Sequence, residues 1–134
     1  MLMFSCESTT LRVLVVDDHE LTRLTLKLAF SAEENLQVVG LACNGQEAIE
    51  MVQNCQPDVI VLDLQMPIMD GWSASSQIKA MSPKTQILAY SSVEEAGFLG
   101  AKATPNFDNV CPKDVPTTEL IALVRQLGER AVKS

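Results

Sequence analysis

Two short apolar runs, each followed directly by acidic residues, constrain the fold of this chain most strongly. The first covers residues 11–16 and precedes Asp17 and Asp18, and the second covers residues 58–62 and precedes Asp63. Runs this short and this rich in β-branched residues are typical of buried strands in a parallel sheet. Such a sheet places the carboxyl ends of its strands at one edge, where ligands bind. We therefore expect the three carboxylates to meet in one small crevice.

Carboxylates that lie this close repel one another, so they require a cation to hold them together. Mg²⁺ is the natural candidate, with Mn²⁺ as its substitute, because a hard divalent ion takes oxygen ligands and keeps room for phosphate oxygens. The simpler interpretation of Asp17 and Asp18 is that they cap a helix that begins near Glu20.

Strand and helix patterns alternate along the whole chain. The predicted strands cover residues 11–16, 36–42, 58–62, 87–90 and 108–111. Apolar residues recur at helical spacing between and after the strands, most clearly at Leu21, Leu24 and Leu28 and at Leu120, Val124 and Leu127. A weaker helix is predicted over residues 94–103, and the final helix is expected to open at Pro116. The alternation predicts an α/β, flavodoxin-like fold: a doubly wound parallel sheet of five strands, in the order 2-1-3-4-5, with helices on both faces.

The composition limits the classes of function. The 134 residues predict one domain over 11–130, with a leader at 1–10 and a tail or linker start at 131–134. The formal net charge of −7 argues against direct nucleic-acid binding, which depends on Lys and Arg. No apolar run approaches the ~20 residues that span a bilayer, and the first residues do not resemble a secretion signal. The four cysteines form no metal-binding pattern, so we expect reduced thiols in the cytoplasm.

Several motifs together resemble the receiver domain of bacterial response regulators. The resemblance covers about residues 11–130 and depends on four segments, which are Val15–His19, Asp58–Gly71, Ser91 and Pro112–Asp114. With Asn44–Ala48, they are most similar to receivers that precede a helix-turn-helix output domain.

The resemblance implies a phosphoryl-transfer site. Asp63 would take the phosphoryl group from a phosphohistidine on a sensor histidine kinase or a phosphotransfer protein. Mg²⁺ would be held by Asp18, Asp63 and the backbone carbonyl of Gln65, while Asp17 would bind it through water or orient its ligands. Lys113 would reach the phosphoryl oxygens as a point charge. Such a domain phosphorylates and dephosphorylates itself and is not a turnover enzyme on external substrates.

The resemblance also implies a switch. Ser91 would donate a hydrogen bond to the attached phosphoryl group, and the loop after the fourth strand would follow it. The face formed by the fourth helix, the fifth strand and the fifth helix would then change shape and bind a partner or a second copy of the chain. An aromatic residue usually stands three residues before the lysine, and here that position is Val110, which has no ring to turn. The domain could stand alone or precede a DNA-binding output domain outside this chain, and the subfamily resemblance favours the second.

Each assignment has a simpler alternative. Asp63 and Lys113 could be ordinary loop residues, Ser92 could take the role of Ser91, and Asp70 is expected to cap a helix rather than bind metal. A lone histidine, His19, is expected to be a loop or structural residue. The whole domain could be a pseudo-receiver, a protein-interaction module that works without phosphorylation. A flavin- or nucleotide-binding domain is disfavoured because the chain lacks a P-loop and a G-x-G-x-x-G turn.

Overall fold

A computed structural model of the chain describes residues 10–92, 94–96 and 106–133. The strands are β1 (Leu11–Val16), β2 (Leu36–Ala42), β3 (Val59–Leu62), β4 (Gln86–Ser91) and β5 (Asn109–Pro112). The helices are α1 (Glu20–Ser31), α2 (Gly45–Cys55), α3 (Gly71–Met81) and the C-terminal helix (Thr117–Lys133). Residues 94–96 are also helical, and the rest of the helix predicted over 94–103 lies outside the described residues.

The strands form one parallel sheet in the order β2-β1-β3-β4-β5, which confirms the predicted fold and strand order. β1 lies between β2 and β3, with Val16 opposite Ala42 on one side and Leu62 on the other. The ends of β1 and β3 are therefore neighbours at the carboxyl edge, as the positions of the acidic residues predicted.

Alternate residues of the strands pack on opposite faces of the sheet, as the pleat requires. One face is covered by α1 and the C-terminal helix; its core includes Val13, Val15, Val59, Val61, Phe30, Leu120, Val124 and Leu127. The other face is covered by α2 and α3; its core includes Leu14, Val16, Ile60, Leu62, Ile49, Val52, Ala74 and Ile78. Burial on both faces explains why the central strands are almost wholly apolar.

The first helix forms where the leucine spacing predicted it, but those leucines point to solvent. Leu21 is 77% exposed and Leu28 is 73% exposed, whereas Leu26 and Phe30 are buried against the sheet. Two residues along an α-helix correspond to a turn of about 200°, so the two apolar stripes lie on opposite sides. Helical periodicity finds the helix but cannot say which of two apolar stripes faces the core.

The weakest predicted strand is also present. β5 forms despite its nearby prolines because it is an edge strand, paired with β4 alone among the described strands, and Pro112 stands at its end. The C-terminal helix begins one residue after Pro116, whose carbonyl accepts hydrogen bonds from Glu119 and Leu120. Among the described residues, no helix has the length and apolar character needed to cross a membrane.

Candidate functional site at the carboxyl edge of the sheet

The sheet itself positions two of the three carboxylates. The Asp17 amide donates to the Ala42 carbonyl at 3.0 Å, and the Asp63 amide donates to the Val16 carbonyl at 2.9 Å. The backbone hydrogen bonding thus continues beyond β1 and β3 and holds both residues at adjacent strand ends. Their side chains are buried, with 1% of Asp17 and 5% of Asp63 exposed to solvent.

Lys113 links these two carboxylates although it lies far from both along the chain. Its Nζ is 2.9 Å from Asp17 Oδ2 and 3.3 Å from Asp63 Oδ1. Its backbone amide donates to the Ser91 carbonyl at 2.8 Å, which fixes the loop after β5 against the end of β4. The predicted acidic residues and the predicted lysine therefore lie together in one pocket.

Asp18 and His19 complete the rim of the pocket. The His19 Nδ1 lies 3.1 Å from Asp17 Oδ1 and 3.1 Å from Asp18 Oδ1. His19 is the N-cap residue of α1 and makes no side-chain capping hydrogen bond. The interpretation of Asp17 and Asp18 as the helix caps is therefore wrong. Asp70, in contrast, caps α3 as expected, since its side chain accepts from the Ser73 amide at 2.8 Å.

Several buried polar atoms at this edge lack a hydrogen bond. Among the described residues, the buried side-chain oxygens without one are Asp18 Oδ1, Asp63 Oδ2 and Ser91 Oγ. Leaving a buried polar atom unsatisfied costs about 1–3 kcal/mol, so such atoms point to a missing partner. Two of the three are carboxylate oxygens, which are suitable ligands for a hard divalent cation, and ligand atoms of Asp17, Asp18, His19 and Asp63 all lie within 4.8 Å of one another. The residues present therefore fit the predicted metal.

The pKa of Asp63 indicates that negative charge exceeds positive charge in the pocket. Burial, and then the negative charge of Asp17, raise the pKa of Asp63 from 3.8 to about 6, although Lys113 and the Gln65 backbone amide oppose this increase. Burial alone would lower the pKa of Lys113, but its hydrogen bonds and charge interactions with Asp17 and Asp63 raise it. Lys113 thus stays charged, and one ammonium group does not compensate all the carboxylates around it.

We expect Asp63→Asn to stabilise the fold at pH 8 but not at pH 3.5, in metal-free buffer. Asp63 loses its proton near pH 3.8 in the unfolded chain and near pH 6 in the folded chain. The free energy of unfolding of the wild type therefore falls as the pH rises between these two values, and the full destabilisation is present above pH 6. The shift corresponds to an upper limit of about 3 kcal/mol. Urea unfolding at both pH values tests this, with Glu129→Gln as an exposed charge control. An equal effect of Asp63→Asn at both pH values would contradict the prediction.

Gly71 allows α3 to begin directly against the end of β3. Its amide donates to the Leu64 carbonyl at 2.9 Å. A Cβ at this position would collide with the Asp63 carbonyl oxygen and lie 2.8 Å from the Leu64 Cα. These are backbone atoms that cannot turn away, so any larger residue would displace the chain that carries Asp63.

The sequence did not reveal how the loop after β4 is fastened to the loop after β3. Gln65 Nε2 donates to Glu95 Oε2 at 2.7 Å. Ser92 Oγ accepts from the Glu95 amide at 3.2 Å, so Ser92 acts as a helix cap. The Ser-x-x-Glu spacing of Ser92 and Glu95 is a known capping signature and could have predicted this part. Ser91 is fully buried at the end of β4, and its carbonyl accepts from the Lys113 amide.

The chain matches known proteins along most of its length. The family model of the response regulator receiver domain matches residues 13–125. A protein-glutamate methylesterase/protein-glutamine glutaminase 2 of Photobacterium profundum is 45% identical over 95 residues, which cover 71% of this chain and 23% of that protein. A protein-glutamate methylesterase/protein-glutamine glutaminase of Methanococcus maripaludis is 33% identical over 92% of this chain and 33% of its own length.

A solved structure shows the same fold. The response regulator domain of Thermotoga maritima CheB superposes with a TM-score of 0.80 and 32% identity, covering 90% of this chain and 97% of that one. The expected closeness to receivers that precede a helix-turn-helix domain is not confirmed, because these curated relatives carry the name of a methylesterase. The sheet order and the match over 113 of 134 residues (13–125) lead to one conclusion: this chain belongs to the response regulator receiver domain family.

Proposed function

We propose that this domain is a phosphoaccepting switch in which Asp63 takes a phosphoryl group from a phosphohistidine. The supporting observation is the state of the Asp63 carboxylate. It is 95% buried, one oxygen faces the Lys113 ammonium at 3.3 Å, and the other oxygen has no hydrogen bond from any residue that the structure describes. A carboxylate held in this way is positioned for reaction and is poorly stabilised before it reacts.

The step forms a bond between an Asp63 oxygen and phosphorus and breaks the bond between phosphorus and the donor histidine nitrogen. Lys113 neutralises charge on the phosphoryl oxygens from its place between Asp17 and Asp63. Asp18, Asp63 and the Gln65 carbonyl would hold Mg²⁺ or Mn²⁺, and Asp17 would orient this arrangement or bind the ion through water. The metal supplies neutralisation of the charge that develops during phosphoryl transfer.

Ser91 connects the phosphoryl group to the rest of the domain. Its hydroxyl is fully buried and has no hydrogen-bond partner among the described residues, so a hydrogen bond to a new phosphoryl oxygen would favour its movement toward the phosphoryl group. Val110 packs beside Leu64 and Ala89 and cannot swing a ring, but Phe107 packs in the same cluster. The Phe107 ring meets the Trp72 ring edge to face at 5.4 Å between centroids. We propose that Phe107 carries part of the relay to the face that includes β5 and the C-terminal helix.

Labelling with a small phosphodonor tests the function without any partner protein. After incubation with acetyl phosphate and Mg²⁺, intact-mass measurement is expected to show one added phosphoryl group, and chelation of the metal is expected to prevent it. Because the chain contains one tryptophan, Trp72 fluorescence measured in parallel reports whether the Phe107 contact changes. The absence of any adduct, under conditions that label a known receiver, would support the phosphorylation-independent interaction module instead.

The exposed leucines of α1 suggest where the phosphodonor protein docks. Leu21 lies within the first turn after His19, so this stripe begins next to the pocket and continues to Leu28. Ile68, in the loop after β3, is 82% exposed and has a φ of 70°, which is unusual for a β-branched residue. Exposed apolar side chains around a reactive pocket fit the apolar centre of a protein interface.

The double variant Leu21→Ser/Leu28→Ser is expected to slow phosphoryl transfer from a histidine kinase or phosphotransfer protein by about tenfold or more. Labelling by acetyl phosphate should change by less than about twofold, because the small donor needs no docking surface. Val132→Ser, which alters an exposed apolar residue of the C-terminal helix, is the matched control. An equal loss with both donors would mean that the leucines support the pocket rather than the partner.

The protein or domain that the switch regulates is a proposal. The chain spans about a quarter to a third of the length of the curated relatives described above. We propose that the phosphorylated domain regulates a partner or output domain and that the exchange takes place in the cytoplasm, as is usual for this family. Homodimer formation, a DNA-binding output and the boundaries 1–10, 11–130 and 131–134 remain predictions.

A further inference from the structure

The imidazole of His19 is turned toward the carboxylates, and the function proposed above gives it no role. Most of the side chain is exposed, at 70%, yet its Nδ1 lies 3.1 Å from an oxygen of Asp17 and 3.1 Å from an oxygen of Asp18. The two oxygens of Asp17 are divided between two neighbours, with Oδ2 contacting Lys113 and Oδ1 facing His19. His19 is therefore part of the pocket wall.

The distances from His19 Nδ1 to the two carboxylate oxygens equal those between neighbouring ligands of one octahedral ion. Two neighbouring ligands about 2.1 Å from a metal stand about 3 Å apart, and two opposite ligands about 4 Å apart. The Nδ1-to-oxygen distances are 3.1 Å, and the ligand atoms of Asp17, Asp18, His19 and Asp63 all lie within 4.8 Å of one another. Asp63 gives a second, independent indication, because its Oδ2 is buried and has no hydrogen bond within the described part of the chain.

The identity of the ligand atoms decides which metals such a site prefers. Mg²⁺ favours oxygen ligands and gives up its water reluctantly. Imidazole nitrogen suits borderline ions of the first transition row, such as Zn²⁺, Fe²⁺ and Ni²⁺. A carboxylate cluster with one nitrogen donor therefore discriminates between metals differently from a cluster of oxygens alone.

We propose that His19 supplies a nitrogen ligand to the divalent ion in this pocket and shifts the preference of the site toward imidazole-binding transition metals. This inference deepens the metal site of the proposed function and rests on it only for the location of the pocket. A transition-metal ion would be held by His19 Nδ1 together with carboxylate oxygens of Asp18 and Asp63, whereas Mg²⁺ would keep the oxygen ligands given above. Asp17 keeps its contact with Lys113, and its Oδ1 keeps the hydrogen bond from the His19 backbone amide, while Nδ1 exchanges its contact with Oδ1 for the ion.

Metal binding without any phosphodonor tests the inference directly. Calorimetry with Mg²⁺ and with Ni²⁺ is performed on the full, untagged chain, in which His19 is the one histidine. His19→Asn keeps a residue that caps helices well but replaces the nitrogen donor by an amide. We expect this variant to lose about tenfold or more in Ni²⁺ affinity and to keep its Mg²⁺ affinity within about twofold. Glu20→Gln, one residue further along the exposed start of α1, should change neither the Ni²⁺ affinity nor the Mg²⁺ affinity.

A spectroscopic readout separates ligation from a general electrostatic effect. In wild type, paramagnetic Ni²⁺ should broaden the imidazole NMR signals of His19 at low occupancy, and Asp18→Asn should reduce the broadening. Equal losses of Mg²⁺ and Ni²⁺ affinity in His19→Asn, or unchanged Ni²⁺ binding, would overturn the inference. Selective Ni²⁺ binding in a chain that acetyl phosphate fails to label would instead uphold the inference and reject the proposed function.

Discussion

Asp63→Asn is expected to remove phosphoryl uptake completely, from acetyl phosphate and from a phosphorylated histidine protein alike. The amide has nearly the same shape as the carboxylate but cannot act as the nucleophile. The surrounding positions of Asp17 and Lys113 depend on backbone hydrogen bonds and on each other, so the pocket survives the substitution. Intact-mass measurement and phosphate release both quantify the loss.

The control for this variant is Asp70→Asn, which makes the same chemical change in the same loop. Asp70 caps α3 through the Ser73 amide, and asparagine caps helices about as well. Asp70→Asn should therefore accept the phosphoryl group at the wild-type rate. If Asp63→Asn still acquired one phosphoryl group at a comparable rate, the acceptor would be another residue and the assignment of Asp63 would be wrong.

Lys113→Met is expected to reduce the rate of phosphoryl uptake by about a hundredfold, since it removes the one side-chain cation placed against Asp63 among the described residues. The variant should also be less stable at pH 8, by about 2–4 kcal/mol, because Asp17 and Asp63 would be left buried without their partner. Metal affinity should increase, because the ion no longer competes with an ammonium group. Labelling rate, urea unfolding and calorimetry measure these three effects separately.

The opposite signs of these effects make the prediction specific. A collapsed pocket would lose both phosphoryl uptake and metal binding, whereas the loss of one cation weakens the first and strengthens the second. Lys79→Met provides the comparison. Lys79 forms an ion pair with Asp108, at a distance of 2.7 Å between Nζ and Oδ2, and this pair lies away from the pocket. It should lower stability and leave labelling unchanged. Tighter metal binding without slower labelling would mean that Lys113 serves the structure and not the reaction.

The sequence predicted the fold and the meeting of the carboxylates for a simple physical reason. Apolar runs that end in Asp17 and Asp63 define both the strands and their shared edge, and neighbouring parallel strands bring those ends together. The place of Lys113 followed from the family resemblance and not from spacing, because 50 positions separate it from Asp63 along the chain.

Other features could not be predicted because they depend on how elements rotate and pack. Leu21 and Leu26 are equally good helix-face residues, and only the fit of α1 against the sheet decides that Leu26 is buried. The contact between Gln65 and Glu95 joins two loops that are remote in sequence. His19 was expected to be structural because no second histidine stands nearby, but its partners are the carboxylates that precede it.

The most direct test of the account is to locate the phosphoryl group on the chain. After labelling with acetyl phosphate and Mg²⁺, reduction of the acyl phosphate by borohydride converts the phosphorylated aspartate to homoserine, which peptide mass mapping detects. We expect homoserine at position 63 in wild type and at no position in Asp63→Asn. Homoserine at position 17 or 18, or at none in labelled wild type, would contradict it.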